Sequence, residues 1–447
     1  MLDATTLRRF MDSVHGRVVV PGDDAYDEAR AVWNAAIDRR PAAVVRCGDA
    51  TDVQRAIEFA RRHDLPVAVR GGGHAFSGHA TCDDGLVIDC SPMHEVMVDP
   101  ERRLVRVGAG CTLADLDQAT QAHGLATPMG TAPPTGVAGL TLGGGLGWLM
   151  GKHGLACDNL VAADVVTADG LLLQASGEEH PDLLWGLRGG GGNFGVVTRF
   201  EFRLHPVTTV HGGFVSYPFS EAARVLRSYR EFTAAAPDEL TAFAGILPLA
   251  DGPAFALAAC WSGEPARGEA ALAPLATFGT PITVALRAMP YIEMQQLLSP
   301  PPVRTAAYAR SSFLRGLGDD AIAAMVAYGA NVPPMLGAFF VEHFHGAATR
   351  AEGTAFSHRA EAYNFAALAL WMEPEHADAS AAWARGFSDA MAPYFGSGVY
   401  SNYLAEGEVD RVRAAYGSAY ERLRSVKRTY DPTNLFRLNQ NIEPADA

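Results

Sequence analysis

The chain has 447 residues, too many for one ordinary hydrophobic core and enough for two or three domains. Hydrophobic residues make up 48% and charged residues 19%, the mixture of a globular chain, and 36 Lys plus Arg against 50 Asp plus Glu give a formal charge of −14. With no basic run, that balance argues against nucleic acid or an anionic membrane as partner. The opening stretch from Met1 to Phe10 lacks the apolar core of a signal peptide, and no later apolar run has the length of a membrane span, so the cytoplasm is the expected location. In chain order, Ala42 to Cys47 reads as a strand, and Thr51-Asp52-Val53-Gln54 has the form of a capping box opening a helix with Val53, Ile57 and Ala60 on one apolar face. The chain returns as a strand from Pro66 to Val69, completing a βαβ unit, and runs into Arg70-Gly71-Gly72-Gly73-His74.

Three glycines remove side-chain bulk and permit backbone angles that other residues avoid, Arg70 adds a cation, and His74 adds a nucleophilic nitrogen. The stretch reads as a cofactor cradle; a glycine-rich loop with a surface histidine is the plainer alternative, and these residues alone leave both open. Strands follow over 85–90 and 104–110, and Thr112 caps a helix running to Gly124. Gly136 to Trp148 holds many glycines among Val, Leu and Trp, unlike a polar linker, and this favours close approach of a ligand. Ala168-Asp169-Gly170 between two apolar runs signals a hairpin. Gly190, Gly192 and Gly195 match GxGxxG, but a strand over 196–204 follows where a dinucleotide fold needs a helix, so an ordinary Rossmann reading fails.

The character of the chain shifts near His205-Pro206-Val207. Beyond it, strands over 256–261 and 338–345 alternate with alanine-rich helices around 217–236, 319–330 and 376–393, while proline clusters at 300–302 and 333–334 mark loops. His343 and His345, two apart on a strand, point to one face; a metal pair lacks a third ligand, and no metal site is expected. Cys47, Cys82, Cys90, Cys111, Cys157 and Cys260 show no zinc-like spacing and read as reduced, buried thiols. A helix with Tyr420, Leu423 and Val426 on one face leads to a last segment in which the amides of Asn439 and Asn441 suit the carbonyls and ring nitrogens of a heterocycle.

Together these stretches resemble the berberine bridge enzyme-like branch of the vanillyl-alcohol oxidase type of FAD-dependent oxidoreductases, near bacterial hydroxynicotine oxidases and polyketide-tailoring flavoenzymes. The likeness covers nearly the whole chain and rests on Arg70 to His74, Gly136 to Gly147, Asp158-Asn159, Arg188 to Thr198, and Tyr430-Asp431-Pro432 through Asn441 to Pro444. It implies an α+β fold: a two-part FAD-binding domain from 1–207 and 405–447, with an inserted α+β substrate domain over 208–404. It further implies FAD bonded through the ring of His74, with Arg70, Gly71, Gly72, Gly73, Gly78, Gly130, Thr131, Gly136, Gly139, Gly143, Gly145, Val197, Asn439 and Asn441 around the cofactor. Many relatives add a cysteine link where this chain has Ala132, so a single attachment is expected; Cys111 or Cys157 would serve only in another register.

The stretch Gly398 to Tyr403 resembles the family's tyrosine-bearing strand, which makes Tyr403 the first choice of catalytic base and Tyr400 the second, with His343 and His345 as substrate contacts or alternative bases. The implied activity is an oxidase: a hydride passes from a small alcohol, sugar, amine or polyketide-like intermediate to FAD, and molecular oxygen takes the electrons to give hydrogen peroxide. A dehydrogenase with another acceptor, or a flavin-binding protein without turnover, is the alternative. The sequence sets neither the substrate nor the oligomeric state.

Overall fold

β-Branched and small residues in short runs build the first sheet of the computed structural model, which describes residues 4–249, 252–299, 303–332 and 337–446. Its spatial order is Arg17–Val19, Ala43–Arg46, Leu86–Asp89, Val67–Arg70. The two strands of the expected βαβ unit are therefore not neighbours: Leu86–Asp89 lies between them and runs parallel to both. The connecting helix, Ala50–Arg62, is capped differently from the expectation. Asp49 is the N-cap, its side chain accepting from the backbone N–H of Asp52, whereas the Asp52 carboxylate turns back to accept from the N–H groups of His15, Gly16 and Gly48 at 2.7, 2.9 and 3.0 Å. The expected box is absent because the helix starts before Thr51, and Gln54 Nε2 donates instead to the Gly170 carbonyl at 2.7 Å. Thr112 does cap its helix, Leu113–Gln121, in a reciprocal box with Asp115, a feature worth about 1 kcal/mol.

A second sheet has the order Val96–Asp99, Leu104–Gly108, Val196–Arg203, Leu160–Val166, Leu172–Ser176, with Ala168-Asp169-Gly170 in the turn of its last hairpin. A strand does follow the GxGxxG match. These two sheets and the helix Tyr420–Tyr430 share one core, which Leu423, Val426, Phe436 and Ile442 of the C-terminal segment complete. The proline clusters at 300–302 and 333–334 lie outside the described residues. All six cysteines are buried and unpaired. No helix among the described residues is long and apolar enough to cross a membrane.

Between these halves runs a seven-stranded antiparallel sheet, from Thr283–Pro290 at one edge through Thr209–Pro218, Gly252–Trp261, Leu240–Leu249, Ala338–His343 and Tyr363–Trp371 to Ala306–Leu314 at the other. Alternate residues of each strand face opposite ways. One face buries Phe339, Val341, Tyr363 and Phe365 under the helices Ala222–Ala234, Asp319–Gly329 and Ala377–Met391. The other presents Phe243, Ala258 and Phe313, which pack with Leu146, Trp148 and Tyr400. That second face closes over the first half of the chain.

Candidate active site

His74 leaves the end of Val67–Arg70 through a turn in which Gly73 has φ +65°. Its ring stacks on Trp33 with centroids 4.3 Å apart, and the Trp33 N–H bonds the Gly73 carbonyl at 3.0 Å, so the turn and the indole fix the imidazole together. Burial pulls the His74 pKa down to about 4, and its Nε2 is buried without a hydrogen-bond partner. The ring is neutral at physiological pH, with one lone pair or one N–H unused.

The glycines around it divide into two kinds. A Cβ on Gly72 would lie 2.5 Å from the backbone of Gly136, and one on Gly136 would collide with Gly72 in return, so the two turns touch backbone to backbone. Gly71 is closed by Ala109 and Ala138, Gly78 by Ile37 and Gly130 by Leu140; Gly143 meets Asn402 and Gly145 meets Ala156. Most of the glycines from 136 to 147 thus have other protein atoms where a Cβ would sit, so close packing within the protein is one reason for the glycine there. Gly139, on the short helix Val137–Leu142, faces open space and keeps the reading of ligand contact. Arg70 is 8% exposed beside this turn; Nη1 and Nε donate to the carbonyls of Ala29 and Ala80 at 2.5 and 3.3 Å, and Asp89 lies 3.9 Å away. Its guanidinium braces the turn, and only Nη2 is left without a partner.

The C-terminal segment reaches the same place. Asn193, fully buried, donates to the carbonyls of Gly190 and Gln440 and accepts from the Ile442 N–H at 2.9 Å, while the Gly191 N–H bonds the Leu142 carbonyl. Asn439 donates to Gly192 and Phe436, and the Oδ1 atoms of both Asn439 and Asn441 are buried without partners. Val197 lies buried on its strand opposite Val165, and Thr131 is half-buried in the loop that follows Gly130. Unused polar atoms on His74, Asn439 and Asn441, with the open flank at Gly139, fit a large flat heterocycle such as FAD.

Across from His74 the inserted sheet supplies the titratable groups. Tyr403 lies in a single turn of tight helix, Ser401–Tyr403, not on the expected strand. Its hydroxyl donates to Glu342 Oε1 at 3.1 Å, and Asn364 Nδ2 donates to the other carboxylate oxygen at 2.7 Å. Burial pushes Glu342 up to about 7, against the opposing pull of those two bonds, and burial beside Glu342 raises the Tyr403 phenol well above its ordinary value. Phe76 meets Tyr403 edge-on at 6.1 Å and Trp33 at 5.5 Å, which links this pair to His74 through two aromatic side chains. Glu342 escaped the sequence reading; its one signal is a carboxylate inside the apolar run Phe339-Phe340-Val341-Glu342.

Of the other expected bases, Tyr400 packs beside Tyr403 with its hydroxyl already engaged, and the two histidines lie elsewhere. Tyr400 is 2% exposed, and its oxygen accepts from the Gly145 N–H and from Asn402 Nδ2, both at 2.9 Å, so it holds the glycine turn. His343 faces the helices: it pairs across the sheet with Tyr363, and their rings lie 5.2 Å apart. The strand stops at His343, yet His345 still stacks on it at 4.4 Å and packs against Gly151. The two histidines share a place, as expected, but it is the face opposite Glu342 and Tyr403.

Residues 41–176 match the family model described as FAD binding domain, and residues 399–443 match that described as berberine and berberine like. The chain is 31% identical to an FAD-linked oxidoreductase of Dictyostelium discoideum, with 98% of this chain and 97% of that one covered. It is 31% identical to (R)-6-hydroxynicotine oxidase of Paenarthrobacter nicotinovorans, with 97% of each covered. The structure of 6-hydroxy-D-nicotine oxidase from Arthrobacter nicotinovorans superposes with a TM-score of 0.90 at 28% identity, over 97% of this chain and 99% of that one. With its cradle of unused polar atoms and its full-length relatives, the chain belongs to the berberine-like FAD-linked oxidoreductases.

Proposed function

We propose that this chain is an oxidase that removes a hydride from a small organic substrate, an alcohol, sugar, amine or polyketide-like intermediate, and hands the electrons to oxygen with release of hydrogen peroxide. The Tyr403–Glu342 pair, its carboxylate buried and its phenol partly buried, carries this reading. Bound FAD supplies the two-electron acceptor. The protein then has one proton to manage, and a base is effective when its pKa lies near the working pH. Glu342, at about 7, meets that condition, whereas the Tyr403 phenol stays protonated. The Tyr403 oxygen takes the proton of the substrate hydroxyl or amine while its own proton passes along the existing bond to Glu342 Oε1. Phe76, Phe340 and Tyr400 meet Tyr403 edge-on and fix its ring beside Glu342.

The same reading has the cofactor bonded through His74 alone. A neutral imidazole, clamped by Trp33 and with Nε2 unused, is a nucleophile held ready. Ala132 offers no sulfur, and burial pushes the Cys111 thiol up to about 12 and Cys157 well above its ordinary value, so neither is a reactive thiolate. Acid precipitation tests the bond: yellow colour stays in the pellet, with flavin mass on the peptide spanning His74 and on no other, whereas His74→Ala releases its flavin to the supernatant and loses most activity. Covalent flavin in His74→Ala would overturn the assignment. Oxygen uptake with stoichiometric peroxide under substrate tests the oxidase; reduction of a dye without oxygen uptake would make the protein a dehydrogenase.

A further inference from the structure

A second buried carboxylate, Asp117, 2% exposed on the helix Leu113–Gln121, takes no part in the proton path above. Its Oδ2 accepts from Gln295 Nε2 at 2.9 Å, and the same amide nitrogen donates to the Gly130 carbonyl at 3.2 Å. Gln295 follows the helix Tyr291–Met294, which continues from the edge strand Thr283–Pro290. A side chain of the inserted sheet region therefore closes on the first residue of loop 130–136.

The far end of that loop is held by the same helix. The N–H groups of Leu113 and Ala114 bond the carbonyls of Thr135 and Pro133 at 2.9 and 3.1 Å, and Thr112 bridges to Gly136. Gly136 in turn lies against Gly72 in the His74 turn. Gly130 and the turn that carries His74 are thus joined by a short loop held at both ends. Gln295 is 1% exposed, its Oε1 and the Tyr291 hydroxyl are buried without partners, and no other side chain bonds the Gly130 carbonyl among the described residues. Burial pushes Asp117 up to about 7, and the bond from Gln295 opposes that rise.

We infer that Gln295, set in place by Asp117, is a positioning residue that fixes loop 130–136 against the flavin. The inference rests on FAD lying along this loop and the His74 turn. Neither side chain need touch the cofactor; both act through the Gly130 carbonyl.

The test uses holoenzyme purified after growth at limiting riboflavin and reads the flavin-to-protein ratio and the fine structure of the visible flavin band, with far-UV circular dichroism as a fold control. Gln295→Met is expected to lower the flavin-to-protein ratio, with about tenfold as the upper bound set by one buried hydrogen bond acting on the capture step, and to blur the band. Gln295→Asn, one methylene shorter and gentler on folding, should do the same because its amide falls short of Gly130. Asp117→Asn should keep both readings, since its amide oxygen still accepts from Gln295. Wild-type occupancy and spectrum in Gln295→Asn would overturn the inference, as would an Asp117→Asn protein as depleted as Gln295→Met, which would put charge in place of the hydrogen bond. A wild-type protein without flavin would instead break the functional reading on which the inference stands.

Discussion

Glu342 and His343 are neighbours in sequence and opposites in situation. Both are 6% exposed and both are desolvated, yet one faces Tyr403 and the His74 side while the other lies against Tyr363 beneath the helices. Burial acts on them with opposite sign, because it disfavours whichever form is charged: it pushes the glutamate up to about 7 and pulls the histidine down to about 3. Burial depth alone therefore does not mark a catalytic group. What separates the two is the parity of one residue along a strand, and with it the partner each one meets.

The largest effect that would sharpen this contrast is on turnover. Glu342→Gln, nearly isosteric and unable to take a proton, is expected to cut kcat by about 10²–10⁴-fold with little change in KM. In the unaltered enzyme the rate should rise with pH through about 7, where the Glu342 carboxyl ionises, and steady-state kinetics from pH 5 to pH 9 read both outcomes. A Glu342→Gln enzyme with wild-type kcat would remove the proton path.

Stability gives the next effect, with a sign that differs between the two neighbours. Because the folded pKa of Glu342 lies above its ordinary 4.5, its contribution is complete below that value and is lost as pH rises through about 7. At about 1.36 kcal/mol per unit the loss is roughly 3 kcal/mol. His343 runs the other way: its folded pKa lies below its ordinary 6.5, so its contribution is present above 6.5 and is lost as pH falls toward about 3. Denaturant unfolding across pH should therefore show Glu342→Gln gaining on the wild type at high pH and His343→Phe gaining at low pH. Parallel profiles for the two variants would break the comparison. The smallest effect is on catalysis by His343→Phe, expected to stay within about twofold of wild type, since His343 meets none of the proposed reacting groups.

Local chemistry was the legible part. Thr112 with Asp115, the hairpin at Ala168-Asp169-Gly170 and the glycine turn before His74 each depend on a few adjacent residues, and each can be read from them. The helix is capped at Asp49 and not at Thr51, and Gln54, the second member of the expected box, is taken by the Gly170 carbonyl, a contact between segments far apart in sequence. The same cause hid why Gly143 and Gly145 are glycine, since Asn402 and Ala156 come from elsewhere in the chain. Glu342 was hidden because its neighbours on both sides are apolar or aromatic, and only the register with Asn364 shows which face it takes. Register decides the histidines too: His343 pairs with Tyr363 and so takes the helix side of the sheet.

The hub at Asn193 ties residues near 190 to Gln440 and Ile442. Nearly 250 residues separate those partners in the chain. During synthesis, the sheets that carry His74 are made early, but the wall that Asn439 and Asn441 contribute cannot exist until residue 442 has cleared the ribosome. A flavin held by both His74 and this wall would therefore need residues 439–442 in place, and not only the segment that first displays the histidine.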